Sequence, residues 1–510
     1  MALVEPAEST RDGSRRIRLA NPATLEPLGA VELAGEARVR DAILLARKAQ
    51  PAWAELGFDG RGRLLRRALE VLLGRQEEFI DRIVSETGKP RSEVLASEIL
   101  PACDALEFHA KRARRVLADR KIPLHLLKHK QLRITYRPLG VVGIITPWNV
   151  PFLLALNPTV QALIAGNAVV LKPSEVTPRS GQLVGELFEA AGLPEGVLGV
   201  LCGDGETGAA LVEGGVDKIS FTGSARTGLA VAEVCGRNLV PCTLELGGKD
   251  PMIVCADADL ERAANAAVFG AFANAGQVCT SIERVYVLEA VADDFIDRVV
   301  RKTAALRQGA GGEFDVGPMI CREQLEVVER QVRAALEGGA RALTGGRRNP
   351  NYPGLFYEPT VLVDLTHDME VMREETFGPV LPILRVPSEP EAIRLANDTV
   401  YGLNASIFTR DRRKGIGLAK QIRSGAAVVN DCMLTYALPE APFGGVKRSG
   451  IGRVNGEEGL KSYCEQRSIA IDRFGAKSEP IWYPYSARKT RWLQRLMRLV
   501  WESPLGRWLS

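Results

Sequence analysis

The chain has 510 residues, 46% of them hydrophobic and 25% charged, a composition that excludes a disordered or fibrous protein. At this length about three quarters of the unfolded surface can be buried, in roughly three domains or in fewer if one interrupts another. Lysine and arginine (66) nearly balance aspartate and glutamate (62), so the net charge of +4 marks no nucleic-acid partner, and nine cysteines without CxxC spacing argue against a disulfide framework or zinc knuckle.

In chain order, Met1 to Asn21 interleaves Glu5, Glu8 and Asp12 with four arginines and lacks an apolar stretch of signal-peptide length, which with the cysteine pattern implies a reducing, cytoplasmic location. The run Lys111-Arg112-Ala113-Arg114-Arg115 reads as a solvated helix face. His125 and His129 stand four apart, half of a zinc site, but no HExxH and no nearby cysteine completes it, so no metal is expected. His109 and His367 are equally remote from any Gly-rich turn, and a Ser–His or Cys–His pair is hard to build.

Pro138 to Leu171 is 34 residues without a charge, longer than the ~20 needed to cross a bilayer. Three prolines (147, 151, 158) and Asn149, Asn157, Gln161 and Asn167 argue against a membrane span. The segment instead reads as strand Val141–Ile145, an irregular turn Thr146–Pro151, helix Pro158–Ala165 and strand Ala168–Leu171, a βαβ unit. Helix Gly181–Ala191, strand Val197–Cys202, helix Thr207–Glu213, strand Lys218–Phe221 and helix Gly228–Val234 continue the alternation of a doubly wound α/β domain. A second α/β series follows Glu245: helix Leu260–Phe272, strand Arg284–Leu288, helices Asp293–Leu306 and Arg322–Gly338, then strands Phe356–Val363, Val380–Val386, Ala405–Phe408 and Ala427–Val429.

Two turns could hold phosphate at a helix N-terminus: Gly203-Asp204-Gly205, and Phe221-Thr222-Gly223-Ser224 before Gly228. Lys172-Pro173-Ser174-Glu175 ends a strand where a lysine and a carboxylate could hold ribose hydroxyls; a solvated turn is the plainer reading. Glu245-Leu246-Gly247-Gly248-Lys249 sets a carboxylate before a turn where backbone can approach a ligand, and Cys279 follows 34 residues later within Gly276-Gln277-Val278-Cys279.

Together with Pro147-Trp148-Asn149, Glu374-Glu375-Thr376-Phe377-Gly378-Pro379 and Pro442-Phe443-Gly444-Gly445 before Ser449-Gly450, these motifs stand in an order that resembles the aldehyde dehydrogenase superfamily over about residues 20 to 470. The resemblance implies that Cys279 is the nucleophile, that Asn149 and the Cys279 N–H form an oxyanion hole, and that Glu245 is the general base, a residue the coenzyme-A-acylating branch lacks. It places NAD against Thr146, Pro147, Trp148, Lys172, Ser174, Glu175, Gly205, Phe221, Gly223, Ser224, Leu246, Glu375 and Phe377. Glu175 would repel a 2′-phosphate, so NAD is preferred, with NADP possible.

The implied architecture is a doubly wound cofactor domain (1–121 and 139–246), an α/β catalytic domain (247–464), small β oligomerisation strands (122–138 and 465–480, centred on Leu132–Arg137 and Ser468–Asp472) and a C-terminal tail (481–510), in a homodimer or homotetramer. Phe152, Leu153, Leu154, Leu156, Val278 and Thr280 make the nucleophile's neighbourhood mostly apolar, which favours an aliphatic or aromatic aldehyde over a semialdehyde; the loop Met433–Ala441 also contributes to the pocket. A non-catalytic NAD-binding protein and a cofactor-free thiol esterase are the rival readings. Arg488, Lys489, Arg491, Arg495, Arg498 and Arg507, against Glu502 alone, give the tail a charge of +5. On a helical wheel Arg488, Arg491, Arg495 and Arg498 oppose Trp492, Leu493, Leu496, Met497, Leu499 and Val500, a basic amphipathic helix fit for an anionic membrane surface or for docking on a subunit. Trp482, Trp501 and Trp508 add to its interfacial character.

Overall fold

The computed structural model describes residues 4–9, 15–310 and 312–502; Arg507 and Trp508 of the expected basic helix lie outside the described residues. The chain divides into two compact units, one of residues 1–116 with 138–463 and one of residues 117–137 with 464–510.

Two sheets organise the larger unit. In the first, five parallel strands, Cys242–Glu245, Lys218–Thr222, Val141–Ile145, Ala168–Lys172 and Leu198–Val200, stand side by side in that order, with Gly450–Ile451 added antiparallel outside Cys242–Glu245. Numbered along the chain, the five parallel strands follow the doubly wound order 3-2-1-4-5, whose direction of winding reverses between Val141–Ile145 and Lys218–Thr222. Ile145 is level with both Lys172 and Phe221, so three strand ends open on the same crevice. The second sheet runs Arg341–Thr344, Thr360–Val363, Val380–Val386, Ile282–Leu288, Asp250–Val254, Ser406–Phe408, Val428–Val429, parallel except for its first strand. Its central strands are buried on both faces, which is why Ile282–Leu288 is buried at every position and carries no alternation.

Helix Leu260–Phe272 and strand Val380–Val386 begin and end where periodicity placed them. Strands Cys242–Glu245 and Asp250–Val254 escaped it: each is only four or five residues long, and Asp250-Pro251 opens the second with a charge and a proline. The helix expected from Pro158 begins at Pro151 and runs to Ala165 with Pro158 inside it. Pro151 takes the first helical position, where no N–H is needed, and all fifteen residues are buried, so packing outweighs the proline penalty at Pro158. This accounts for the uncharged stretch, and among the described residues no helix is long and apolar enough to cross a membrane.

The smaller unit holds a three-stranded sheet, Cys464–Asp472, Lys130–Pro138 and Arg120–Ile122, the first two extending the expected strands at one or both ends. Lys130 pairs with Asp472 at 2.8 Å, and Arg137 with Glu465 farther along the ladder. Strand Cys464–Asp472 lies at the sheet edge with most side chains exposed. Helix Ala487–Trp501 follows, capped by Ser486, whose hydroxyl accepts from the Lys489 N–H at 3.2 Å; none of its residues is buried.

Candidate active site

At the reversal of the first sheet a cavity of about 740 Å³ is lined by Thr146, Pro147, Trp148, Lys172, Glu175, Gly205, Phe221, Gly223 and Ser224. It lies at the carboxyl ends of the strands, where doubly wound sheets bind ligands. Helix Ala225–Asn238 starts beside it with Ser224 as its cap, directing unpaired N–H groups at the space. Lys172, buried apart from its tip, bonds Glu175 Oε2 at 2.9 Å. The buried Thr146 hydroxyl has no partner in the protein. Ser174 is not among the lining residues; its hydroxyl turns back to accept from the Val176 N–H at 3.2 Å.

A second cavity of about 600 Å³ shares Pro147, Trp148, Gly223 and Ser224 with the first and gathers Asn149, Glu245, Leu246, Cys279, Glu375 and Phe377. These positions are spread over more than 200 residues of sequence, and each is delivered by a strand end or a tight loop. Glu245 is the last residue of its strand, where Gly450–Ile451 pairs alongside. A Cβ at Gly444 would lie 2.8 Å from Glu245 Oε1, so the Gly444-Gly445 turn can pass the carboxylate only without a side chain. Both Glu245 oxygens are buried and have no hydrogen-bond partner. Burial pushes this carboxyl well above the usual glutamate range, and Arg453 only partly opposes the shift.

Cys279 is partly exposed in the loop between a 3₁₀ turn, Ala273–Gly276, and strand Ile282–Leu288. Burial raises its thiol pKa, and Asp250, Glu245 and Glu375 raise it further. One flank of the cysteine packs on the apolar cluster Leu403, Phe443 and Val454, with Tyr436 against Phe443. Gly276 has φ +73°, and a Cβ there would lie 2.0 Å from the Gly378 carbonyl oxygen; this close approach interlocks the cysteine loop with Glu374–Pro379. Asn149 is buried and its Nδ2 donates to the Gln277 carbonyl at 2.9 Å.

The loop carrying Glu375 and Phe377 is held from below by residues that sequence reasoning left without a role. Glu283 accepts from the N–H groups of Thr376 and Phe377, each at 2.8 Å, and pairs with buried Lys249 at 2.7 Å. Gln331 donates to the Glu375 carbonyl at 3.2 Å, and Gln324 to that of Thr376 at 2.7 Å. Glu375 itself accepts from the Gly248 N–H at 2.9 Å, and burial beside Glu283 pushes it up to about 8. Phe377 stands edge-on to Trp148 with ring centroids 5.5 Å apart. Arg226 and Arg330 also reach the cavity, from helices remote from the segments on which the apolar reading rested, and Arg330 is paired with Glu370. Glu283 carried no sequence signal, because an acid inside an apolar strand looks like an exposed position until its partners 93 and 94 residues away are known.

The described residues contain no cluster of histidine, cysteine or carboxylates able to hold a metal ion. Among the described residues, which include all nine cysteines, there is no disulfide.

The family model for the aldehyde dehydrogenase family matches residues 9–469. Over 462 residues the chain is 41% identical to the 4,4'-diapolycopene aldehyde oxidase of a Methylomonas species, covering 90% of this chain and 86% of that protein. It is 39% identical over 454 residues to a protein of Mycolicibacterium smegmatis provisionally named an NADP-dependent succinate-semialdehyde dehydrogenase, covering 88% and 86%. Among solved structures, the Mycobacterium tuberculosis aldehyde dehydrogenase complexed with NAD+ superposes with a TM-score of 0.86 at 36% identity, covering 93% of this chain and 97% of that one.

Proposed function

The chain belongs to the aldehyde dehydrogenase family, and from that premise we propose that it oxidises an apolar aldehyde, medium- or long-chain aliphatic or aromatic, to the carboxylic acid with NAD. The observation that carries this reading is the convergence of Cys279, Asn149 and Glu245 on one cavity continuous in its lining with the crevice at the sheet reversal.

The Cys279 sulfur adds to the carbonyl carbon; its proton leaves to Glu245 or water, and the carbonyl electron pair moves to oxygen. Asn149 Nδ2 and the Cys279 N–H donate to that oxyanion, an arrangement worth about 3–4 kcal/mol per donor. Bound in the crevice lined by Lys172, Glu175 and Ser224, NAD would supply the hydride acceptor for the adduct carbon. The resulting thioester is attacked by water whose proton Glu245 takes, and the acid departs as the Cys279 sulfur is released. A glutamate with both oxygens unpartnered and its pKa raised is suited to this work, since it holds a proton weakly enough to pass on yet gains one more readily than a solvated carboxylate.

The crevice residues fit a dinucleotide. Thr146 has a spare buried hydroxyl, Lys172 and Glu175 stand where ribose hydroxyls would bond, and the helix cap at Ser224 suits a pyrophosphate. The Glu175 carboxylate in the lining supports NAD over NADP.

For the substrate, the Leu403, Phe443 and Val454 flank of Cys279 supports an apolar chain. The Methylomonas relative is named for the oxidation of an aldehyde, 4,4'-diapolycopene aldehyde. A semialdehyde is the second reading, because Arg226 and Arg330 line the cavity and the mycobacterial relative bears that name. The test is NADH formation across aldehydes from two to sixteen carbons, benzaldehyde and succinate semialdehyde, with NADP in parallel. We expect kcat/KM to climb about tenfold for each two methylenes that enter the apolar pocket, until it is filled. A peak at succinate semialdehyde would overturn the substrate reading, and equal or better rates with NADP the cofactor reading.

Assembly as a homodimer or homotetramer is supported by the exposed edge strand Cys464–Asp472, whose backbone can extend a neighbour's sheet. Peripheral membrane contact is supported by the tail. Helix Ala487–Trp501 sets four arginines on one face, while Trp492, Met497 and Leu499 are about half exposed, at 47%, 55% and 59%. Lys489 stands apart from the arginine face, its ammonium turned back to the carbonyls of Trp482 and Pro484. With each basic residue near an anionic surface worth about 1 kcal/mol, removing residues 487–510 should abolish sedimentation with phosphatidylserine vesicles. Unchanged sedimentation would leave the tail as a docking element on a subunit.

A further inference from the structure

The two donors assigned to the oxyanion, the Asn149 amide and the Cys279 N–H, lie 130 residues apart in sequence, and their spacing has to be held by something other than chain connectivity. Asn274 spans them. Its Nδ2 donates to the Asn149 carbonyl at 2.9 Å and to the Gln277 carbonyl at 3.1 Å, the same Gln277 oxygen that accepts from Asn149 Nδ2. The Asn274 carbonyl in turn accepts from the Gln277 N–H at 3.0 Å and from its Nε2 at 2.7 Å. The residue is 5% exposed and sits at φ +53°, followed by Ala275 at +52° and Gly276 at +73°. Three successive left-handed residues are costly, and such strain persists only where surrounding bonds enforce it.

A further bond comes from a short segment that also holds the Asn149 side. Glu93 accepts from the Asn274 N–H, and Glu98, inside the π-helical turn Leu95–Ile99, bonds the helix that follows Asn149. That helix, Pro151–Ala165, has no side-chain cap of its own at Val150. Glu98 Oε2 supplies one from outside, accepting from the N–H groups of Phe152 at 2.8 Å and Leu153 at 3.1 Å, while Oε1 pairs with Lys89 at 2.7 Å in full burial.

We infer that Asn274 and Glu98 are positioning residues of the oxyanion site, Asn274 tying the Asn149 turn to the cysteine loop and Glu98 anchoring the helix that carries the Asn149 side. The inference rests on the proposed roles of Asn149 and Cys279. An error of about 1 Å between donor and reacting atom costs about 100-fold in rate, so a residue that touches neither substrate nor cofactor can govern the first chemical step.

The experiment is a single turnover with enzyme in excess over aldehyde and at saturating concentration, where the rate constant for NADH formation does not depend on the fraction of competent molecules. Asn274→Gly keeps the left-handed backbone accessible and removes only the bridge. It should slow that rate constant about 10- to 100-fold with unchanged NAD affinity by fluorescence titration. Glu98→Gln keeps an acceptor for Phe152 and Leu153 while removing the charge opposite Lys89, and should slow it less, by about threefold to tenfold. If both variants hold the wild-type rate constant within about twofold and lose only soluble protein or melting temperature, the residues are structural and the inference fails. Asn149→Ala is run beside them. Full activity in that variant would remove the oxyanion reading itself, whereas its loss with Asn274→Gly unaffected would remove only the positioning role.

Discussion

Cys279→Ala is expected to abolish aldehyde oxidation, by at least about 10⁴-fold, while NAD should still quench the protein's fluorescence with unchanged affinity. The expected size follows from the chemistry: without the sulfur there is no adduct from which hydride can leave, and no second nucleophile stands ready. Cys202 and Cys255 are buried in hydrophobic cores with their thiols pushed up to about 11, and Cys242, whose thiol is lowered to about 7 beside Cys235, does not line the cavity. The cavity lining includes no serine or cysteine other than Ser224 and Cys279, and Ser224 is occupied as a helix cap. Retained turnover above about 1% would show a different nucleophile and would sink the covalent mechanism. Ester hydrolysis by the wild-type protein that ignores NAD and vanishes in Cys279→Ala would instead favour a thiol esterase.

Glu245→Gln is expected to give one rapid equivalent of NADH per site and then stall at the thioester, with steady-state turnover lowered about 10²- to 10⁴-fold. Its signature in pH is specific. Wild-type turnover should rise with pH through the raised pKa of Glu245, above the ordinary glutamate range, because only the ionised carboxylate can accept the water's proton. That limb should vanish in the variant. Stability moves the other way: folding holds this carboxyl protonated to higher pH than the unfolded chain does, so the folded state binds more protons and loses stability as pH rises above the unfolded value. Glu375, pushed up to about 8, acts in the same sense. The Glu245→Gln protein should therefore melt above wild type at about pH 8 and close to it at about pH 5. Unchanged steady-state turnover would remove Glu245 as the base, whatever the melting curves show.

The amino-acid sequence was enough to point to the family. A cysteine after Gly276-Gln277-Val278, a carboxylate before Gly247-Gly248 and an asparagine after Pro147-Trp148 are identities, and local order along the chain preserves them. The α/β alternation was legible for the same reason, since long buried strands and amphipathic helices each imprint a period. The basic face of helix Ala487–Trp501 was equally plain, because arginines three and four apart define one side of a helix whatever surrounds it. Periodicity could not reveal the short strands that end at Glu245 and begin at Asp250, nor a helix that runs through Pro158, because there packing with distant segments overrides local preference.

The state of the site was decided by the tertiary structure alone. Glu245 is a strong base candidate because no donor reaches either of its oxygens, and that is a property of what folds around it. Ser174 belonged to the expected cofactor set, and only the structure shows its hydroxyl accepting from the Val176 N–H of its own turn. The spacing of Asn149 from the cysteine loop is set by Asn274 and by two carboxylates of the Arg91–Ile99 region, through bonds spanning 54 to 181 residues. Sequence records which groups are present and the local period that places them on one face; dielectric, unpaired donors and ångström-scale distances arise only when segments far apart in the chain are brought into contact.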